Sequence, residues 1–181
     1  YTPAYIAASK GDAEMIEILL QARVDLNKQN KNGNTPAHIA VLQEHEHIIT
    51  ALHQAGADLN KQNKGGIAPM HIAALQGYDH IIQVLHKAKV NLNIQSKKGF
   101  LPVHLAALFG RTQAIRILHE AGVDLDKTDN EGNTPIHHAN FYSAQVLQVI
   151  YQLIIQEIFD DELKEISLCQ ATEENKLETV K

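Results

Sequence analysis

Eleven histidines, one cysteine and a cluster of acidic residues are the groups of this 181-residue chain whose types invite chemistry. Imidazole ligates zinc or carries protons near neutral pH, and a thiolate is a nucleophile. Spacing tests each of these roles. His38, His71, His104 and His137 recur every 33 residues, and so do His53, His86 and His119. Equivalent positions on packed helices stand roughly 8–10 Å apart, too far to share one zinc whose bonds are roughly 2 Å long. The run Glu44-His45-Glu46-His47-Ile48-Ile49 begins like a zinc-protease helix, but Ile49 stands where the second ligand is required. Cys169 has no base nearby in sequence and is expected to be a buried helix cysteine. Asp160-Asp161-Glu162 is expected to be a solvated helix start. There is no glycine-rich phosphate loop, serine elbow or carboxylate pair at a meaningful spacing. The expectation is therefore no catalytic residue, no metal, no cofactor and no enzymatic activity.

The elements that carry these histidines are visible in the prolines. Pro3, Pro36, Pro69, Pro102 and Pro135 are the only five, and they are 33 residues apart. Around them stand Thr2-Pro3-Ala4-Tyr5-Ile6-Ala7, Thr35-Pro36-Ala37-His38-Ile39-Ala40, Ala68-Pro69-Met70-His71-Ile72-Ala73, Leu101-Pro102-Val103-His104-Leu105-Ala106 and Thr134-Pro135-Ile136-His137-His138-Ala139. Downstream, Val24-Asp25-Leu26-Asn27, Ala57-Asp58-Leu59-Asn60, Val90-Asn91-Leu92-Asn93 and Val123-Asp124-Leu125-Asp126 repeat at the same phase. The chain is similar to ankyrin repeats over about residues 1–155.

The local physics supports the same unit. Threonine caps a helix, proline at the first helical position loses no donor, and a histidine two residues on can reach back to the threonine hydroxyl. Apolar runs such as Ile48-Ile49 to Leu52 and Ile81-Ile82 to Leu85 predict a second, antiparallel helix. Gly56 and Gly122 end it in the left-handed conformation, where Arg23 and Lys89 are strained substitutes. Ala68 and Leu101 replace the capping threonine, at an expected cost of roughly 1 kcal/mol each. The predicted fold is all-α, a solenoid of stacked helix-turn-helix units with projecting hairpin loops. Its repeats fall at about 1–34, 35–67, 68–100, 101–133 and 134–155. The fifth unit is expected to run short near Ser143-Ala144-Gln145, with Asn140 in place of a small alanine, and to continue as a longer helix through Ile155 to Phe159. Residues 156–181 are expected to be an acidic helical extension whose end resembles the start of a further unit. A sequence opening on Tyr1 and closing inside such a unit is expected to be part of a longer protein that continues in both directions.

Composition excludes other classes. The net charge is −5 and the pI about 6.1, against the strong basic excess of a nucleic-acid binder. Residues 1–156 hold 13 basic and 13 acidic side chains, while residues 157–181 hold 3 and 8. The repeats are neutral and the end is acidic. The longest apolar stretch, Val146 to Phe159, carries Gln148, Gln152 and Gln156 along one face, so it reads as an amphipathic helix and not a membrane span. A lone cysteine points to a reducing compartment, and the expected location is intracellular and cytoplasmic.

The resemblance implies function. Ankyrin arrays bind protein partners on the concave face and loop tips. The matching positions here include Lys31, Lys64, Ile67, Leu75, Lys97, Lys98, Phe100, Leu108, Phe109, Phe141 and Tyr142. Lysines crowd the first three loops and aromatic residues gather in units three to five, which favours an acidic, partly apolar partner segment. No nucleic acid and no membrane insertion are expected. The oligomeric state is not encoded. An alternative is a targeting or substrate-recruiting module of a larger enzyme, or of a secreted bacterial effector acting in a host cytosol. Abundant Lys, Asn, Gln and Ile without tryptophan would suit such an AT-rich source. The resemblance also offers Asn27, Asn60 and Asn93 as candidate hydroxylation sites, each eight residues after a leucine: Leu19, Leu52 and Leu85.

Overall fold

Five prolines begin five helices. The computed structural model describes residues 2–139 and 144–156. In it α1 (Pro3–Lys10), α3 (Pro36–Leu42), α5 (Pro69–Gln76), α7 (Pro102–Leu108) and α9 (Pro135–Ala139) each open on proline. Between them lie α2 (Ala13–Gln21), α4 (Glu46–Gln54), α6 (Asp79–Lys87) and α8 (Thr112–Glu120), and α10 covers residues 144–156. No strand occurs among the described residues.

Packing runs in two rows. Proline-led helices touch proline-led helices, from α1 through α3, α5 and α7 to α9, and α2, α4, α6 and α8 form the other row. The proline-led row buries alanines, among them Ala7, Ala8, Ala40, Ala73, Ala74, Ala106 and Ala107. The second row buries Ile48, Ile49, Leu52, Ile81, Ile82, Leu85, Ile115 and Leu118. Small side chains let the first row approach closely while bulky ones hold the second apart, which makes the first row the inner one of the curved stack. Each helix pair buries its apolar face against the next pair, so one core runs the length of the array.

Among the described residues, twelve turn positions in three rows of 33-residue period have positive φ. Nine are glycine, including Gly11, Gly77 and Gly110 in the row after the first helix, and the other three are Arg23, Glu44 and Lys89 at φ of 54°, 54° and 57°. Arg23 and Lys89 follow their helices in the strained geometry that the missing glycines predict. Glu44 was legible by the same period, since it interrupts the row of Gly11, Gly77 and Gly110.

The helix-opening histidines work differently from the expected reach to threonine alone. In α3 the Thr35 backbone N–H donates to His38 Nδ1 at 3.1 Å, and the Thr35 hydroxyl lies 2.8 Å from the same nitrogen. Ala68 and Leu101 have no hydroxyl, yet their N–H groups still donate to His71 and His104 Nδ1 at 3.1 and 3.2 Å. Both are also buried in the core. Losing the threonine therefore removes one bond of the cap and adds apolar burial, which offsets the expected cost.

The region of Asn140 to Ser143, the continuation past residue 156 and the cysteine lie outside the described residues. The expectations about a shortened fifth unit, an acidic extension and a further unit fall there.

Candidate partner-binding surface

The loops are built from the inside outward. Each tip is a tight turn closed by two backbone bonds: Asn30 N–H to Asn34 C=O, Asn63 to Ile67, Ser96 to Phe100 and Asp129 to Asn133 at 2.8–2.9 Å, and the N–H of Gly33, Gly66, Gly99 and Gly132 back to the carbonyls of Asn30, Asn63, Ser96 and Asp129 at 2.9–3.2 Å. A polar side chain fills each turn. Asn30 Oδ1 accepts from the N–H of Asn32 and Asn34, Asn63 Oδ1 from Gly65 and Ile67, Ser96 Oγ from Phe100, and Asp129 Oδ1 from Glu131 and Asn133. Successive tips are joined by backbone bonds: Lys64 N–H donates to Asn32 C=O at 3.1 Å, Lys97 to Gly65 at 3.2 Å and Asn130 to Lys98 at 3.1 Å. Glycine is required at Gly33 because a Cβ there would lie 2.6 Å from Lys64 N. The amides of Gln29 and Gln62 tie each loop to the next, donating to the carbonyls of Gln62 and Gln95 at 2.8 and 2.7 Å. The tips thus form one continuous edge.

The histidines lock that edge to the inner helices. Nε2 of His38, His71 and His104 donates to the carbonyls of Ile67, Phe100 and Asn133 in the next loop, at 2.8, 2.9 and 3.1 Å. Since Nδ1 accepts a backbone N–H, each ring is neutral and protonated on Nε2. Burial pulls all three below the ordinary histidine range, against the opposing pull of those carbonyls. His45 and His47, which stood in the protease-like run, donate to the unit-one carbonyls of Ala8 and Gly11 at 3.1 and 2.9 Å. Arg111 does the same to Leu75 C=O at 3.0 Å, one repeat position equivalent to His45. Among the described residues, no group of three or more His, Cys, Asp or Glu could hold a metal.

The predicted partner residues divide into three groups. Lys31, Lys64, Lys97, Lys98 and Phe109 are exposed, the last at 47 %. Ile67, Leu75, Leu108 and Phe100 are half-buried. Phe100 stacks on His104 with ring centres 6.1 Å apart and meets His138 edge-on at 5.0 Å. Phe141 and Tyr142 lie outside the described residues. Leu42, at the same repeat position as Leu75 and Leu108, is 44 % exposed and joins the surface. A shallow groove between α1 and α3, lined by Tyr5, Ile6, Ser9, Lys10 and Ile39, continues it toward unit one.

Repeat loops of this geometry, on two rows of short antiparallel helices, agree with the family comparison. Family descriptions of ankyrin repeats match residues 1–63 and 70–161, and a second matches residues 43–86. The chain belongs to the ankyrin-repeat family. No curated protein matches it. Ankyrin repeats are generally protein–protein interaction modules. No helix among the described residues is long and apolar enough to cross a membrane.

Asn27 and Asn60, offered as modification sites, are half-buried, and their Oδ1 atoms accept from Asp58 and Asn91 N–H at 2.7 and 2.8 Å. Asn93 is exposed. A feature the sequence reading missed lies in unit five: His138 Nε2 is 2.7 Å from Asp129 Oδ2. Burial of Asp129 works upward on its pKa, but the N–H groups of Asn133 and Glu131 together with His138 outweigh it and hold the carboxyl below its usual range. The signal was present in the repeat, since His138 replaces Leu105, Ile72 and Ile39 where Asp129 replaces Ser96, Asn63 and Asn30.

Proposed function

We propose that this ankyrin array is a binding scaffold that captures an acidic, partly apolar segment of a protein partner along its loop tips and inner helices. The observation that carries the reading is the pairing of exposed apolar anchors, Phe109 and Leu42, with lysine-tipped loops along one edge. Exposed aromatic and aliphatic side chains bordered by charge are the composition of an interface centre. Lys28, Lys31, Lys61, Lys64, Lys97 and Lys98 have no ion-pair partner among the described residues, so their charge is available to a ligand. The array acts by positioning and not by chemistry, inside the cell, where its lone cysteine stays reduced. Among the three candidate asparagines, Asn93 is the one a hydroxylating enzyme reaches without breaking a loop-to-loop bond.

The test is affinity capture with the wild-type chain and with the Phe109→Ala, Leu42→Ala double variant, quantified by mass spectrometry. Both residues are exposed, so helicity should be unchanged. A partner retained by the wild type and lost from the variant supports the reading. Equal recovery moves the binding surface to the opposite row of helices.

A further inference from the structure

The lysines of the loop edge are periodic as well as numerous. Lys31, Lys64 and Lys97 occupy the same place in three successive tips, and Lys98 adds a second charge to the third. Each tip is hydrogen-bonded directly to the next, so the three stand on a continuous ridge with no cleft between them. Axes of packed helices stand about 8–10 Å apart, and a charge on each unit's tip would recur at about that interval. The series then stops. Asn130 takes the fourth place, beside exposed Glu131, and the last loop lysine, Lys127, lies 3.8 Å from Asp124.

A ligand that meets all three charges must present carboxylates at the same interval and on one side. A β-strand fails, because its side chains alternate faces and residues three apart point opposite ways. A polyproline II segment succeeds: it rises about 3.1 Å per residue with three residues per turn, so every third side chain falls on one face, about 9.3 Å from the last. An α-helix of about 10–12 Å diameter would rest on a ridge along a single line and gain little contact.

We propose that the loop edge recognises an extended, acidic polyproline II-like peptide with Asp or Glu at every third residue, three carboxylates long. This rests on the scaffold reading above and adds the register of the ligand. Charge complementarity sets its sign, the unit spacing its period, and Glu131 its end. Such a backbone makes no internal hydrogen bonds and is already extended in the free state, so little ordering is lost on binding.

The experiment uses the 181-residue chain and synthetic 15-residue peptides carrying three Glu each, measured by fluorescence anisotropy at low and moderate salt. One peptide carries Glu at every third position in a Pro-rich background, the second has the same composition with its Glu residues bunched, and the third is a helix-forming peptide with Glu every seventh residue. The proposal expects the phased peptide to bind about tenfold tighter than the bunched one, with affinity falling as salt rises. The Lys31→Gln, Lys64→Gln, Lys97→Gln triple variant, all exposed positions, should erase that difference, while Lys127→Gln should leave it. Equal binding of the two isomers, tighter binding of the heptad peptide or of single-stranded DNA of equal charge, or no binding at all, would overturn it. If the phased preference is absent but capture still depends on Phe109 and Leu42, only the register falls. If both are absent, the scaffold reading falls with it.

Discussion

Met15 and Ile81 hold the same place in the repeat, two units apart. Ile81 is fully buried between α4 and α8, whereas Met15 in α2 is 38 % exposed because only one neighbouring unit covers it. Ile6 against Ile39 and Leu105 tells the same story: 46 % exposed in unit one, almost fully buried in units two and four. The other end differs in kind. His137 opens α9 as His38 opens α3, with Thr134 N–H donating to Nδ1 at 3.1 Å, but it is exposed. There the His138–Asp129 pair holds the fifth unit to the preceding loop. Units two to four are buried between two neighbours, and the fifth adds the His138–Asp129 pair to its burial of Ala139, Val146 and Ile150. In a solenoid, then, what a side chain is worth depends on how many neighbours cover it, more than on its type.

The sharpest way to break this comparison is to truncate the matched pair. Ile81→Ala should cost about 2–5 kcal/mol and Met15→Ala about 1 kcal/mol or less, read as urea midpoints at constant m value. Equal losses would mean that the units do not fold as a nearest-neighbour stack. Next come the histidines. His71→Leu leaves the Ala68 N–H without a partner in the interior and removes one of the two hydrogen bonds to the Phe100 carbonyl, whose other donor is Ser96 N–H, so it should cost about 1–3 kcal/mol. His137→Leu, at the exposed position, should cost a fraction of that.

Acid should reproduce the histidine result without mutation. His38, His71 and His104 are held neutral by burial, so between their lowered values and about 6.5 the unfolded chain binds protons that the folded chain refuses. Stability contributed by these groups is therefore complete above about pH 7 and declines as pH falls below about 6.5. Urea midpoints at pH 7.5, 6.5 and 5.5 should show that decline, and His71→Leu should make it shallower. Asp129→Asn keeps the loop cap that Asn30 and Asn63 provide elsewhere but removes the charge facing His138, so it should cost about 1 kcal/mol and fray the fifth unit first in hydrogen exchange. The smallest expected effect is a gain. Glu44→Gly and Lys89→Gly relieve left-handed backbone and should each stabilise by about 1 kcal/mol or less.

How far the sequence could be read follows from what repeats. Thr35-Pro36, the Asp-Leu-Asn words and the glycine rows encode local backbone geometry, which depends on neighbours in the chain, and these placed the helices and turns. The partner surface was legible only as positions. Phe100 and Phe109 look alike in sequence, yet one is packed against His104 and His138 while the other faces solvent.

By itself the sequence determined the 33-residue period, the helix starts at proline, the neutral array with its acidic end and the lysines of the first three loops. Tertiary structure decided the rest. It set the Nε2 bonds that fix the histidine tautomers, the tip-to-tip ladder that turns separate loops into one charged edge, and the Asp129–His138 pair. It also decided which of several equivalent apolar residues remain uncovered. The bonds among these join residues about 9–32 positions apart, and such contacts exist only once the units have stacked.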